Sequence, residues 1–162
     1  MTAIGIRRAT PTDIAVILQM IRDLAEYERM SEHAVASEAD MREALFGLHP
    51  AAEVLIAYAG DQPAGFALFF HTFSTFVGKR GLYLEDLFVK PAFRRRGIGR
   101  RLLAELARIA VERKCGRFEW AVLDWNQPAI EFYTSLGAVP LSEWTVFRVT
   151  GDALMRLADV GS

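Results

Sequence analysis

Residues 83–103 read Tyr-Leu-Glu-Asp-Leu-Phe-Val, then Lys-Pro-Ala-Phe, then Arg-Arg-Arg-Gly-Ile-Gly-Arg-Arg-Leu-Leu, and few folds accommodate that order. An apolar run of strand character breaks at Pro91, passes through a short basic turn bearing Gly97 and Gly99, and opens into an amphipathic helix. The apolar positions of that helix are Ile98, Leu102, Leu103, Leu106, Ile109 and Ala110, with charge on the opposite face. Strand, glycine turn and helix together make a receptor for an anion. The first N–H groups of a helix point outward unsatisfied, and its dipole adds partial positive charge there. Five arginines (Arg94, Arg95, Arg96, Arg100 and Arg101) raise the local potential. Two other phosphate motifs do not fit. The dinucleotide fingerprint needs glycine where this chain has Leu102, and the Gly-Lys-Ser/Thr of a P-loop is absent. Taken alone, the turn also reads as a solvated basic helix start.

The chain has 162 residues, 52% apolar and 24% charged, which suits one globular domain spanning 1–162. A net charge of −1 makes the arginines a local feature and argues against a general nucleic-acid binder. Cys115 stands alone, so no internal disulfide is expected and a reducing compartment fits. The N-terminus lacks an apolar leader core and no run reaches membrane-span length, so a cytoplasmic protein without membrane attachment is expected. His33, His49 and His71 show no ligand spacing, so no metal is expected.

Hydrophobic periodicity gives the remaining elements. Ile4–Arg8 alternates as a first strand. Thr10-Pro-Thr-Asp13 is a capping pattern for a helix running to about Arg29, and Ser37-Glu-Ala-Asp40 repeats it for a helix through Phe46. Glu53–Ala59 and Pro63–Phe73 read as strands joined by Gly60-Asp61, and the phenylalanines of 66–76 as sheet core. Ser74–Gly81 reads as a loop and Leu82–Val89 as the central strand. The main helix runs from Gly97 to about Lys114 and ends at Gly116. Arg117–Leu123 is a strand, Asn126–Leu136 a short helix, Ala138–Leu141 and Trp144–Val149 strands, and 152–157 a last helical turn. Antiparallel strands followed by a parallel strand–helix–strand–helix unit make a mixed α/β sheet with helices on its faces.

The segment Trp125-Asn-Gln-Pro-Ala-Ile-Glu-Phe-Tyr133 carries a second motif. Asn126 is a natural cap and Pro128 is tolerated in a first turn. Tyr133 falls between the apolar positions, and a half-buried packing role is open to it. With Arg-x-x-Gly-x-Gly upstream, Asn-x-Pro-Ala-Ile-x-Phe-Tyr-x-x-x-Gly-Ala resembles the late signature of the GNAT acetyltransferases. Within them the chain looks most like the spermidine/spermine (diamine) and thialysine enzymes. The segments carrying this are Leu24-Ala-x-Tyr27-Glu28-x-Met30, Tyr83-Leu-Glu85-Asp86-x-Phe-Val89, Gly97-Ile-Gly99 and Trp125-Asn126-x-Pro128.

The resemblance implies the acyl-CoA N-acyltransferase fold, a mostly antiparallel sheet splayed at the CoA site. It implies acetyl-CoA as co-substrate, a small primary amine as acceptor, and a homodimer formed through the late strands. Pyrophosphate is then expected on Arg94, Arg95, Arg96, Gly97, Ile98, Gly99 and Arg100. The pantetheine arm lies along Leu87, Phe88 and Val89, and Asn126, Ala129 and Tyr133 complete the cofactor site. Glu85 is the expected base, direct or through water, and Tyr133 the acid for the leaving thiolate, since a phenol's pKa of ~10 exceeds a thiol's ~8.5. Tyr27 and Glu28 are expected to line the amine pocket. Read without the family, Glu85 is an exposed strand carboxylate and Glu28 a solvated last-turn residue. Strand alternation places Glu85 and Asp86 on opposite faces.

Two departures touch the amine side. The family's longer acidic loop is reduced to Leu141-Ser-Glu143-Trp144, and its His-Phe-Leu is replaced by Glu119-Trp120-Ala121, which enter the expected substrate pocket. The acceptor therefore stays open among a polyamine, a diamine and a thialysine- or lysine-like amino acid. Alternatives are another amine, such as a protein N-terminus or an aminoglycoside, and a non-catalytic acyl-CoA sensor.

Overall fold

Five strands, β1 (Ile4–Arg8), β2 (Glu53–Ala59), β3 (Gln62–Ser74), β4 (Lys79–Val89) and β5 (Arg117–Trp120), lie side by side in chain order. They belong to a computed structural model that describes residues 2–161. The first four pair antiparallel, and β5 pairs with β4 in parallel. The chain divides after Leu123 into two compact units. The first holds the sheet with helices α1 (Ile14–Tyr27), α2 (Glu38–Phe46) and α3 (Ile98–Glu112). The second holds α4 (Gln127–Ser135) and α5 (Gly151–Ala158).

Alternation along the strands gives the sheet two apolar faces. Val54, Ile56, Phe66, Leu68 and Phe88 pack with Ile14, Ile17, Leu18, Met20 and Leu24 of α1 and Met41 and Leu45 of α2. Leu55, Ala57, Ala67, Phe69, Leu82 and Leu84 take the opposite face. There α3 buries Ile98, Leu102, Leu103, Leu106 and Ile109, the positions its 3.6-residue period marks. The far end of α3 is tied down: Arg113 grips Glu53 through two bonds of 2.6 and 2.9 Å and reaches His71 Nε2 at 2.8 Å.

Asp13, only 6% exposed, fastens the start of α1. Its carboxylate accepts from Thr10 N–H at 2.7 Å, and Arg7 grips it through two bonds of 2.9 and 3.0 Å. The Arg7 guanidinium holds the Asp13 carboxyl well below the usual carboxylate range. A carboxyl whose pKa is depressed on folding stabilises the fold above its unfolded value, near ~4, and loses that contribution as pH falls through the folded value. Asp13→Ala is expected to cost about 2–3 kcal/mol in urea melts at pH 7, discounted because Arg7 is half-exposed. The difference from wild type should shrink below about pH 4.

Several boundaries differ from the sequence reading for local reasons. α1 ends at Tyr27, and Arg29 turns the chain at φ 60°. The β3–β4 loop is shorter, since Phe73 pairs Arg80 and Ser74 pairs Lys79. Gly81 sits inside β4, where a Cβ would lie 2.4 Å from Thr72 Oγ1. α3 is closed by Lys114 in the left-handed region, φ 58°, with Cys115 N–H bonded to Ala110 O, and not by Gly116. β5 stops at Trp120. The strands expected at 138–141 and 144–149 do not form: among the described residues no ladder includes them. A strand is stabilised by its neighbour's backbone, and here Trp144 (72% exposed) and Phe147 (90% exposed) meet no neighbouring strand.

Candidate active site

The turn before α3 has the form of an anion cradle. Arg95 and Gly97 both take left-handed conformations, φ 63° and 72°, and Gly97 is the N-cap with no side chain capping the helix. The first hydrogen bond back into the turn is Arg101 N–H to Gly97 O. The N–H groups of Ile98, Gly99 and Arg100 therefore have no partner within the helix. Nothing lies within 4 Å of where a Cβ on Gly97 would stand, and on Gly99 it would touch only Val89 Cγ2 at 4.0 Å. Open space, three outward N–H groups and a positive dipole fit a pyrophosphate. Arg94 is engaged at the end of β4, its Nε donating to Val89 O at 3.0 Å.

β4 supplies the rest of this unit's site. Its parallel ladder with β5 ends at Leu84 opposite Trp120, yet β4 continues five residues further, through Glu85–Val89. Along that stretch the side vacated by β5 presents backbone groups with no strand opposite among the described residues, which is the opening expected for a pantetheine arm. Toward β3 the register slips: Phe69 opposes Leu84 and Leu68 opposes Asp86, so Glu85 is the extra residue of a β-bulge.

The bulge breaks plain alternation along β4, since Leu84 and Asp86 fall on opposite faces of the sheet. Register partners share a face, so Asp86 joins Leu68 and Phe88 on the α1 side, while Leu82 and Leu84 stay with α3. The end of α1 brings Glu28 to the same region. Burial pushes the Asp86 carboxyl up to about 6, helped by the charges of Glu85 and Glu28. Burial and Glu85 likewise raise Glu28. Tyr83 is raised by burial and by Glu85 and Glu119. Glu28, Glu85 and Asp86 thus form one acidic cluster, with Tyr83 and Glu119 beside it, and it can hold a cation. Asp86 is a member that sequence reasoning did not count among the site residues. Among the described residues no group of His, Cys, Asp and Glu is placed to hold a metal ion.

The three expected pocket residues of β5 separate. Glu119 opposes Tyr83 and pairs with Arg117 at 2.8 Å. Trp120 opposes Leu84, on the other face, and meets the Phe118 ring edge-on at 4.9 Å. Ala121 lies beyond the strand.

In the second unit Asn126 caps α4, its side chain accepting from Ala129 N–H at 3.4 Å, with Pro128 in the first turn. Tyr133 lies in the last turns of α4, its ring 5.6 Å from that of Phe132.

A profile described as the acetyltransferase (GNAT) family matches residues 18–138, a span that crosses from the first unit into the second. The chain is 40% identical to a thialysine N-epsilon-acetyltransferase of Sus scrofa, over 98% of this chain and 99% of that one. It is 33% identical to an L-ornithine N5-acetyltransferase of Arabidopsis thaliana, over 94% of this chain and 86% of that one. Among solved structures, an integron cassette protein from the mobile metagenome of V.cholerae superposes with a TM-score of 0.82 at 30% identity. That match covers 98% of this chain and 99% of the other.

Proposed function

Because the chain belongs to the GNAT acetyltransferase family, we propose that it moves an acetyl group from acetyl-CoA to a primary amine of a small molecule. The acceptor is a diamine, a polyamine, or an amino acid of the thialysine or lysine kind. The observation that carries this is the order of features along one strand. An acidic cluster that suits an alkylammonium lies at Glu85–Asp86, an open backbone edge follows to Val89, and an anion cradle follows that at Arg95–Arg100. At about 3.3 Å per residue, Glu85 and Val89 are roughly 13 Å apart along β4, so an extended thioester arm can join the two ends. The thialysine and ornithine activities named for the similar proteins support an amine of this size.

An alkylammonium has a pKa near ~10.4 and is not a nucleophile until it loses a proton. In this reading Glu85 accepts that proton, directly or through water. The amine nitrogen attacks the thioester carbonyl, whose oxygen takes hydrogen bonds from backbone N–H groups of Leu87–Val89. As the C–S bond breaks, Tyr133 donates its proton to the thiolate, and the second proton of the attacking nitrogen leaves through water to restore the phenol. Main chain of Arg95–Arg100 holds the pyrophosphate, and Asn126 and Ala129 complete the cofactor site. Tyr27, Glu28, Asp86 and Glu119 line the amine side. Acidic groups outnumbering a single ammonium suit a substrate with a second cationic centre.

The whole chain acts as one catalytic domain in this reading. It further takes the protein to be cytoplasmic and homodimeric. The exposed apolar residues Val139, Trp144, Val146 and Phe147 support pairing of the late segment with a second copy; a monomeric mass in light scattering argues against it. The reaction is tested by free-thiol release from acetyl-CoA against putrescine, spermidine, spermine, thialysine, lysine, ornithine and short peptides. Turnover on a small diamine or a lysine-like amino acid is expected, and silence on all of them sinks the proposal.

The Asp86 carboxyl makes a pH prediction. Being raised to about 6, it stays protonated below that pH and carries its full charge only above it. If the charged cluster binds the ammonium, kcat/KM should climb through about pH 6. Asp86→Asn should remove that limb and raise the amine KM about tenfold, the scale of one lost charge-assisted contact. A limb that persists in Asp86→Asn assigns it to another group.

A further inference from the structure

Arg94 opens the Arg-x-x-Gly-x-Gly turn, the place where charge would serve a phosphate, yet its side chain makes three contacts with other protein groups. Its Nε donates to Val89 O at 3.0 Å, its guanidinium lies 5.2 Å from the centre of the Tyr27 ring, and it lies 5.8 Å from that of Phe88. These contacts join the turn to two elements of the first unit, β4 and α1. Val89 ends β4, where the cofactor arm is expected, Phe88 is anchored in the core at 5% exposed, and Tyr27 is the last residue of α1. Tyr27 is 42% exposed, and just beyond it the chain leaves the helix and turns at Arg29.

We propose that Arg94 is a positioning residue: it fastens the Tyr27 wall of the amine pocket to the end of the cofactor strand, acting through Tyr27 and Val89 and not as a phosphate ligand. The inference rests on the reading of Tyr27 as part of that pocket. A planar guanidinium can donate from Nε in its own plane while its face meets an aromatic ring. The Nε bond fixes the plane, and the plane fixes the ring. An ammonium on a flexible stem holds no such plane. The potential of the anion cradle does not depend on Arg94, because Arg95, Arg96, Arg100 and Arg101 remain around it.

The test is a double-mutant cycle on amine KM, with CoA affinity measured by calorimetry. Arg94→Ala is expected to raise amine KM about tenfold and to leave CoA affinity within about threefold. Arg94→Lys should not restore amine KM, and adding Arg94→Ala to Tyr27→Leu should bring little further loss. Additive effects, rescue by lysine, or a loss confined to CoA affinity would each overturn the proposal. A second arm needs no turnover. The ring resonances of Tyr27, identified by their disappearance in Tyr27→Leu, should shift in Arg94→Ala, and an unchanged ring overturns the contact. A wild-type protein that acetylates no amine removes the proposed reaction, and the ring resonances still decide the contact.

Discussion

Replacing Tyr133 by Phe is expected to lower kcat about 10²- to 10³-fold while CoA affinity stays within about twofold. The substitution removes one hydroxyl and keeps the ring, so its packing against Phe132 persists and α4, capped by Asn126, keeps its start. What disappears is a proton donor with a pKa of ~10 facing a leaving group whose conjugate acid has ~8.5. Without it the C–S bond must break to a bare thiolate or wait for water. The loss should fall on kcat and on kcat/KM together, as befits an interaction made only in the transition state. A leaving group of lower pKa should narrow the gap between the Tyr133→Phe variant and the wild-type protein. Near-wild-type turnover of Tyr133→Phe would remove Tyr133 as the acid and leave it a packing residue.

Glu85→Gln should cost about 10²-fold in kcat/KM at pH 7, and the deficit should shrink as pH rises. The reason is the state of the amine. At pH 7 about one molecule in 10³ is unprotonated, from an alkylammonium pKa of ~10.4. A variant without the base must select that fraction, so its rate grows about tenfold per pH unit until the amine titrates. Gln keeps the size of Glu and the bulge, so the backbone of β4 should hold. Because the Glu85 charge also raises Asp86 and Glu28, its removal should move the acid limb assigned to Asp86 to lower pH. A deficit equal at every pH points to lost amine binding and not to lost proton transfer.

Much of this fold was legible because it is written locally. The cap boxes at Thr10–Asp13 and Ser37–Asp40, the two-residue Gly60-Asp61 turn and the apolar stripe of α3 each depend on neighbours a few residues away. All four are present in the structure. The parallel pairing of β4 and β5 also followed from the strand–helix–strand order. What escaped depends on distant partners. Glu85 is bulged because β3 imposes a register on β4, and no pattern within 79–89 reveals it. Lys114 accepts a left-handed conformation although Gly116 offered the obvious helix stop. Gly116 is needed for another purpose, since a Cβ there would lie 2.8 Å from Val77 Cγ1. Residues 144–149 alternate like a strand, but alternation only makes a segment fit to pair; it does not supply the partner. In the site, the residue types were readable from the motifs. The placing of Asp86 with Glu28, and the bond from Arg94 to Val89, became visible only in three dimensions.

The two ends of α3 are secured unequally, and that asymmetry bears on how the protein responds to its surroundings. Arg113 fixes the far end to Glu53 and His71, while the near end faces outward with a bare row of N–H groups. Anything phosphorylated that settles there binds the native state and not the unfolded one, and so draws the folding equilibrium toward the native side by mass action. At a hundred times its dissociation constant it contributes about 2.7 kcal/mol. Apparent thermal resistance is then partly a property of the buffer. Melting temperatures compared across orthophosphate, pyrophosphate, nucleotides and CoA would rank what the turn prefers, without a bond being made or broken.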